Sequence, residues 1–359
     1  MGVPEEQEAN FLWQDKAVDG GVLRTAQGYR MPAEWEPHEG TWISWPKDPS
    51  TFPSQILPAV ERTYVKMVEA LGRGEVVHIL VNDSKAEAKV KGLVRRTSVS
   101  FHRIKTVDVW VRDYGPTYVR GGKGAAVKWI FNAWGNKYDD LKPDDKAGEE
   151  IAVDSGLPIV RPGIVLEGGS IDVNGAGSLL TTEQCLLNPN RNPGIGKKEL
   201  EEILGANLGA KNIIWLASGI DGDDTDGHVD DIARFISPRR VVAASEANRS
   251  DSNLETLREN LSRLANSTDQ NRKPLEVLEI PMPPKVVVPE GRLPASHLNF
   301  YIGNKVVLVP TFGGDSDNLA VERLQEAFPA RDAIGIDCRA LVYGLGTLHC
   351  VTQQVPLLV

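Results

Sequence analysis

Short apolar segments alternate with polar, Gly- or Asp-rich turns along most of the chain. At four places, a turn and a short extended segment come directly before a second β-rich segment. This pattern is typical of two adjacent strands joined by a tight turn. The four pairs are 112–119 with 125–131, 167–173 with 178–182, 228–236 with 240–244, and 297–302 with 305–310.

Helical patterns follow several of these pairs, and a further strand closes the unit. The pattern predicts helices over 197–208, 253–266 and 316–328 and closing strands over 212–216 and 333–337. In the last helix, Leu319, Leu324 and Ala327 can share one apolar face. Asp315 or Ser316 is the candidate N-cap of that helix.

The polar turns recur with a spacing of about sixty residues, which is typical of stacked or radially arranged units. Roughly five such units fit when the segment 40–45 is counted. In a radial array equivalent turns meet near the axis, so we expect Asp113, Glu167, His228 and Cys350 to surround one central cavity. Chance similarity between β-rich segments is the alternative to a repeat.

Composition restricts the class of protein. The 359 residues include 41% hydrophobic and 25% charged residues, which is ordinary for a soluble globular enzyme. No apolar run approaches the ~20 residues of a membrane span, and the acidic N-terminus lacks the apolar core of a secretory signal. The net charge of −9 argues against nucleic acid as a main partner and mildly favours a cationic substrate.

The three cysteines are Cys185, Cys338 and Cys350. Their wide spacing and odd number imply no disulfide framework and favour a reducing compartment. Cys185 and Cys338 lie in or beside apolar segments, so we expect both to be small buried core residues.

The residue types in the turns suit chemistry on a guanidinium group. That cation is planar and stays protonated, so two carboxylates that each accept parallel N–H bonds match its shape. Asp113 and Asp230 are the best-placed pair. The central carbon is shielded by delocalised charge, and a thiolate from Cys350 is the side chain suited to attack it. The thiol would be ionised by a cationic environment or by the bound guanidinium itself.

Expulsion of ammonia then requires an acid. His228 can protonate the departing nitrogen and afterwards activate water, and Glu167 can orient His228 and raise its pKa. Structural interpretations stay open for each group: Cys350 as a core residue, Glu167 as a solvated acid, Asp113 in a surface ion pair with Arg112, His228 and Asp230 as a hydrogen-bonded core pair, and His349 as a rival base.

Metal chemistry is less favoured. His228, Asp230, Glu167 and Cys350 are possible ligands, but the chain has no C-x-x-C, no H-E-x-x-H and no second clustered histidine. Phosphate-binding and nucleophile-elbow motifs are missing as well. We therefore expect neither a metal nor another cofactor.

With these residues in these turns, the sequence resembles a known family, the agmatine deiminases of the guanidine-modifying (pentein) superfamily. The resemblance begins at 30–42 and runs almost to the C-terminus. The later blocks are WVRDYGP (110–116), FNAWGNKY (131–138), LEGGS (166–170), NPNRNP (188–193), TDGHVD (225–230) and HCVTQQ (349–354).

The resemblance implies a five-bladed α/β propeller with the active site on its axis. It also implies cofactor-free hydrolysis of agmatine to N-carbamoylputrescine and ammonia, a step towards putrescine. We expect one catalytic domain over 1–359 with an N-terminal extension at 1–29, in a cytosolic homodimer similar to plant or algal members. The implied roles are nucleophile for Cys350, acid/base pair for His228 and Glu167, guanidinium clamps for Asp113 and Asp230, and aromatic wall for Trp110.

Two positions depart from the family pattern. The run 344–347 reads Gly-Leu-Gly-Thr where Gly-Gly-Asn usually precedes the final His-Cys, and Asn136 stands where Gly is more usual. The rival functions are an arginine or peptidylarginine deiminase, an amidino transferase, a thiol protease and a non-catalytic propeller that binds a protein partner. An arginine enzyme should offer a cation to the substrate carboxylate. An agmatine enzyme should offer acceptors such as Asp224 and Asp226 to a distant ammonium.

Overall fold

Four three-stranded β-sheets of the same design and one four-stranded sheet carry the fold. The computed structural model describes residues 28–94 and 97–358, so the predicted extension at 1–29 lies almost wholly outside the described residues. The strands are β1 His38–Ser44, β2 Val76–Leu80, β3 Val99–His102, β4 Thr117–Val119, β5 Ala125–Val127, β6 Ile159–Val160, β7 Asp172–Val173, β8 Ser178–Thr182, β9 Asn212–Leu216, β10 Ala233–Phe235, β11 Arg240–Ser245, β12 Glu276–Pro281, β13 Val287–Val288, β14 Gly291–Arg292, β15 Tyr301–Ile302, β16 Val306–Thr311, β17 Asp332–Asp337 and β18 Gln353–Pro356.

Helices connect and flank these strands. They are α1 Leu57–Leu71, α2 Ser84–Leu93, α3 Val111–Tyr114, α4 Ala133–Asn136, α5 Asp144–Asp154, α6 Glu183–Leu186, α7 Lys197–Leu208, α8 Leu254–Ala265 and α9 Ser316–Ala327. Short 3-10 turns occupy Asp139–Leu141, Gly168–Ser170, Val229–Asp231 and Leu341–Gly344.

Each of the three-stranded sheets joins one antiparallel and one parallel strand pair. Its first strand pairs antiparallel with the second, and the second pairs parallel with a third that follows a helix. This design is repeated in β4-β5-β6, β7-β8-β9, β10-β11-β12 and β15-β16-β17. Central strands such as β11 and β16 are mostly buried, which explains their runs of apolar residues.

The C-terminal strand completes the first sheet. β18 pairs antiparallel with β1, β1 pairs parallel with β2, and β2 pairs parallel with β3. The two ends of the described chain therefore meet in one sheet, immediately after Cys350. The sequence patterns did not predict this closure, nor helices α1 and α2.

The four predicted strand pairs and the closing strands are confirmed, and the three predicted helices are correct to within one residue. In α9, Leu324 is buried while Leu319 and Ala327 are half-buried. Asp315 is the N-cap by position, but its side chain makes no capping bond; Asp317 accepts from Phe312 N and Gly313 N instead. The predicted α/β class and the recurrence of about five units are confirmed, whereas the propeller form itself stays a prediction.

Apolar clusters fill the space between the sheets and their helices. In α8, Leu254, Leu257 and Leu264 recur at helical spacing and are buried. Cys185 and Cys338 are both buried, as predicted. None of the described helices has the length and apolar character that crossing a bilayer requires.

Candidate active site

Short helical turns immediately before the first strands bring the polar residues together. Asp113 lies in α3, Glu167 directly precedes the turn Gly168–Ser170, and His228 directly precedes the turn Val229–Asp231. The turn Gly168–Ser170 contacts both of the others, although the three belong to different units of the fold. Asp113, Glu167, His228 and Cys350 are therefore brought close together as predicted, although of the four only Asp113 and Cys350 line the pocket.

Gly169 occupies the centre of this group. A Cβ placed on it would lie 2.5 Å from His228 Nδ1, 3.0 Å from Asp113 Oδ1 and 3.0 Å from Asp230 Oδ2. Its own N–H donates to Asp113 Oδ1 at 3.0 Å. Glycine is required here because any side chain would displace the imidazole or one of the carboxylates.

Cys350 lines a pocket of about 210 Å³. Burial raises the pKa of its thiol well above the ordinary range, and the charges of Asp230, Asp231 and Asp113 act in the same direction. Asn299 Nδ2 donates to Cys350 Sγ at 3.1 Å. The thiol is therefore protonated until a positive charge enters the pocket.

Asp113 is held by two donors. Trp134 Nε1 donates to Oδ2 and Gly169 N to Oδ1, both at 3.0 Å. Burial raises the pKa of the carboxyl well above its usual range, and the neighbouring Asp230 and Glu167 raise it further. The alternative interpretation of Asp113 as part of a surface ion pair with Arg112 is wrong, because Asp113 is buried and Arg112 donates to Gln354 Oε1 at 2.6 Å.

The two carboxylate oxygens of Asp230 differ in their surroundings. Oδ2 lies 2.7 Å from His349 Nδ1 and 3.9 Å from Cys350 Sγ. Oδ1 is buried and has no hydrogen-bond partner among the described residues. Burial alone would raise the pKa of this carboxyl, but the hydrogen bond and charge of His349, with His228 and Arg234, hold it below its usual value.

His349 bridges two carboxylates, because its Nε2 lies 2.8 Å from Glu34 Oε2. Glu34 in turn lies 3.0 Å from Arg234 Nη2, and Arg234 Nε donates to Asp172 Oδ2 at 2.5 Å. With both ring nitrogens engaged, His349 is poorly placed to act as a rival base. It positions Asp230.

His228 is buried with both ring nitrogens unpartnered among the described residues. Its Nδ1 lies 3.8 Å from Asp113 Oδ1. The raised pKa that was predicted for His228 is wrong: burial lowers that pKa to about 3, against the opposing charge of Asp230. His228 is therefore neutral in the pocket, and no hydrogen-bonded core pair with Asp230 forms, since Asp230 bonds His349 instead.

Glu167 is fully buried, so it is not a solvated acid on a turn. Arg191 Nε donates to its Oε1 at 2.8 Å, while Oε2 has no partner within the described part of the chain. Burial raises the pKa of the Glu167 carboxyl, although Arg191 opposes that shift. Asp226 also contacts Arg191 and accepts from Lys137 Nζ at 2.8 Å, so its charge is neutralised locally.

Two tryptophans form walls of the pocket. Trp110, predicted as the aromatic wall, lines the pocket and donates from Nε1 to Asp108 Oδ2 at 2.8 Å. Trp134 lines it as well, through the positive-φ turn in α4. Burial raises the pKa of Asp108 to about 6, although bonds from Thr51 and Val109 lower it.

The charged side chains that line the pocket are all acidic. Within the described chain, the charged lining residues are all aspartates: Asp48, Asp108, Asp113, Asp140 and Asp224. Asp113 is buried near the thiol, whereas Asp140 is exposed and Asp48 and Asp224 are half-buried. Tyr138 OH donates to Asp224 Oδ2 at 2.5 Å. The pocket therefore suits a ligand that is cationic at both ends.

The two departures from the family pattern are accommodated locally. Leu345 has a φ of 70°, and Thr347 Oγ1 donates to Asn299 Oδ1 at 2.8 Å. Gly346 allows close packing, since a Cβ there would lie 2.6 Å from the Trp110 ring and 3.2 Å from Cys350 Sγ. Asn136 has a φ of 64°, a conformation that Asn tolerates better than most residues.

Asn299 and Trp134 are site residues that the sequence reasoning missed. Asn299 Oδ1 also accepts from the backbone N–H of His349 at 3.0 Å. Its position gave the available signal, because it precedes β15 just as the other polar turns precede their strands. Trp134 lay inside the block 131–138 but carried no chemical signature of its own.

One group of metal-binding side chains is found in the described chain. It comprises Glu167, Cys185 and His228, whose donor atoms lie within 4.8 Å of one another. Cys350 and Asp230, two of the four ligand types weighed from the sequence, are not in this group. Cys185 does not line the pocket.

Five sheets that bring a thiol, an imidazole and several carboxylates together at one pocket define an α/β protein of the guanidine-modifying class. The family model of the Porphyromonas-type peptidyl-arginine deiminases matches residues 30–356, and the chain belongs to that family.

Its relatives include deiminases of known structure. A Legionella pneumophila protein described as "putative agmatine deiminase" is 36% identical over 332 residues, covering 92% of this chain and 95% of that protein. The structure of Enterococcus faecalis agmatine deiminase catalysing its reaction matches with a TM-score of 0.87, at 32% identity over 92% of this chain and 97% of that one. A substrate-bound Cys-to-Ser variant of C. jejuni agmatine deiminase matches with a TM-score of 0.83, at 29% identity over 91% and 96% of the two chains.

Proposed function

We propose that this protein is an agmatine deiminase that hydrolyses agmatine to N-carbamoylputrescine and ammonia through a covalent intermediate on Cys350. The observation that carries the proposal is the position of the thiol: Cys350 Sγ lies 3.9 Å from an Asp230 carboxylate in a pocket whose charged walls are acidic. The relatives that are agmatine deiminases support it.

Binding of the guanidinium is the first step. Asp230 Oδ1 and the Asp113 carboxyl accept its N–H groups, and the planar cation lies against Trp110. Burial and, after it, three nearby carboxyl groups raise the pKa of the Cys350 thiol, and a cation placed between those groups lowers that pKa again. The substrate thus ionises its own nucleophile, and only when it is bound.

Attack follows from this arrangement. The thiolate forms a C–S bond to the guanidinium carbon, and the C–N π-electron pair moves onto nitrogen. Neutral His228 takes up the proton released by Cys350 and delivers it to the departing nitrogen, so the C–N bond breaks and ammonia leaves. The remaining species is a thiouronium, an amidino group bonded to sulfur.

In hydrolysis of the thiouronium, His228 acts as a base toward water. His228 and Glu167, whose Oε2 is unpartnered among the described residues, remove a proton from water as its oxygen bonds to the amidino carbon. The C–S bond then breaks, the thiolate is reprotonated, and a urea is formed. The urea end of the product is uncharged and no longer attracts the clamps, which favours release.

The acidic mouth of the pocket favours agmatine over arginine. The distant ammonium of agmatine meets Asp48, Asp140 and Asp224 there, and the α-carboxylate of arginine would meet the same negative groups. No Arg or Lys among the described residues lines the pocket to bind that carboxylate.

Ammonia release from agmatine, arginine and a blocked arginyl peptide, measured in parallel without added metal, tests the proposal. Release from agmatine alone is expected, with the Cys350→Ser variant as the control for contaminating activity. Release only from arginine or the peptide would overturn the substrate and keep the chemistry. Absence of release from all three would overturn the enzyme.

Finer parts of this function are proposed on resemblance alone. We infer a cytoplasmic homodimer that acts in putrescine and polyamine biosynthesis without a cofactor, of the plant or algal type. One catalytic domain accounts for the chain, with 1–29 as its extension.

A further inference from the structure

Cys185 lies behind the acid/base pair and has no part in the proposed reaction. It belongs to α6, where its N–H is capped by Thr182 Oγ1 at 3.2 Å, and it is fully buried. Its sulfur, a carboxylate oxygen of Glu167 and a ring nitrogen of His228 lie within 4.8 Å of one another.

Polar atoms of two of these residues lack partners. Glu167 Oε2 and both ring nitrogens of His228 are buried without a hydrogen bond among the described residues. Buried polar atoms without partners are uncommon and costly, so their presence points to a ligand that uses their lone pairs.

A thiolate, an imidazole and a carboxylate together are typical ligands of zinc. Ca²⁺ and Mg²⁺ prefer oxygen donors, whereas Zn²⁺ takes mixed S, N and O sets and is satisfied by three protein ligands and one further molecule. With bonds of about 2.3 Å to sulfur and 2.0 Å to nitrogen, a tetrahedral ion sets donor atoms about 3.5 Å apart. The three donors therefore need to close by only about an ångström.

We propose that Glu167, Cys185 and His228 form an inhibitory Zn²⁺ site. Zinc binding displaces the Cys185 proton, and the two charges of the ion are balanced by the thiolate and the Glu167 carboxylate. Bound zinc occupies the lone pairs through which His228 and Glu167 handle protons, so it holds the enzyme inactive. The same ion bound to Cys350 would be a different site, and the Cys350→Ser variant removes it.

Metal binding to the full-length Cys350→Ser protein tests the site without any use of substrate. Equilibrium dialysis should find one Zn²⁺ per chain, and Co²⁺ in its place should give thiolate-to-cobalt absorption. Replacing Cys185 with Ala in this background should abolish both signals. Replacing Cys338, the other buried cysteine, should abolish neither. Absence of zinc binding by Cys350→Ser, or thiolate absorption that persists without Cys185, would overturn the proposal.

X-ray absorption of zinc-loaded Cys350→Ser provides a test in which Cys185 is unchanged. A sulfur ligand beside nitrogen and oxygen is expected, and a coordination shell without sulfur would overturn the site even if the Cys185 variants fail to fold.

Inhibition of the active enzyme is a further test. Cys185→Ala should leave basal turnover unchanged and weaken zinc inhibition at least about tenfold. Inhibition of equal strength in both proteins would contradict the proposal. Because the binding arms need no turnover, their failure is distinct from failure of the deiminase assignment.

Discussion

The chemistry at Cys350 is controlled by the charges of single residues. Burial and the neighbouring carboxyls oppose ionisation of the thiol, while the low pKa of His228, about 3, keeps the imidazole neutral. Both groups therefore stay uncharged until a cation enters. This protects the thiol from other electrophiles and ties its reactivity to the correct substrate.

Replacement of the nucleophile separates binding from turnover. Cys350→Ser should lower kcat by at least about a thousandfold, because a hydroxyl is a far weaker nucleophile toward a delocalised cation. Agmatine should still bind, since the clamps are carboxylates, and calorimetry can measure its affinity. The control is Cys338→Ser, at a cysteine buried away from the pocket. Turnover near the wild-type rate in Cys350→Ser would contradict a covalent mechanism.

Gly169 is the most sensitive position without a functional group. In Gly169→Ala, the new Cβ would lie 2.5 Å from His228 Nδ1, so the imidazole or the backbone must move. A displacement of about an ångström at a reacting group costs about a hundredfold in rate, and we expect kcat/KM to fall at least that far.

The matched control for this variant is Gly92→Ala, because a Cβ on Gly92 meets no atom within 4 Å. Its activity should equal that of the wild type. Equal kcat/KM in Gly169→Ala would show that the close approach of the two clamps and His228 is not needed for catalysis.

At the scale of elements, the turn between 345 and 350 aims the nucleophile. Three donors of this turn, Thr347 Oγ1 and the N–H groups of His349 and Cys350, converge on Asn299 Oδ1. Gly346 leaves room for Trp110. One amide thus fixes the turn from an adjacent unit of the fold.

The Asn299→Ala variant tests whether Asn299 positions the turn that carries Cys350. The variant should lose about 1–3 kcal/mol of unfolding free energy, because buried donors lose their acceptor, and kcat/KM should fall by about ten- to a hundredfold. Urea unfolding and steady-state kinetics measure the two effects. Asn260→Ala is the control: Asn260 is equally buried, and its amide bonds Ala217 N and Ser218 O, each at 2.8 Å, away from the pocket. The Asn260→Ala variant should lose stability but keep its kcat/KM. An equal loss of kcat/KM in both variants would refute a specific effect of Asn299 on the site.

The sequence predicted elements whose cause is local. Helix α7 was predicted with its exact bounds, because its apolar spacing and the left-handed Gly209 that ends it are encoded nearby. Asn299 and Arg191 were missed because an amide or guanidinium gains its function only from the partner it meets. The low pKa of His228 was missed for the same reason, since burial depends on all the units together.

At the scale of the whole molecule, distant segments share one buried charge network. Asp230 bonds His349, which bonds Glu34, and Glu34 pairs with Arg234. The pairing of β18 with β1 holds the same segments together. Because the site is built from opposite ends of the chain, its geometry depends on complete folding, and site charges contribute to global stability.

The pH dependence of stability at Asp108 measures how the charges of the site contribute to folding. It is buried under Trp110, and its pKa is raised from 3.8 to about 6 in the folded protein. Between these two pH values the folded state binds a proton that the unfolded state has lost. The wild type therefore loses stability from this group as the pH rises through that window, and the loss approaches about 3 kcal/mol above pH 6.

Asp108→Asn removes this dependence, since an amide resembles the protonated carboxyl. The unfolding free energy of the variant relative to the wild type should therefore rise by up to about 3 kcal/mol between pH 4 and pH 7. Urea titrations at a series of pH values measure the difference, and the exposed Asp139→Asn variant controls for the loss of one carboxylate. A difference that stays level across this range, or falls as the pH rises, would mean that the Asp108 carboxyl ionises in the folded pocket as readily as in water. The hydrogen bonds from Trp110 and Thr51 would then outweigh burial.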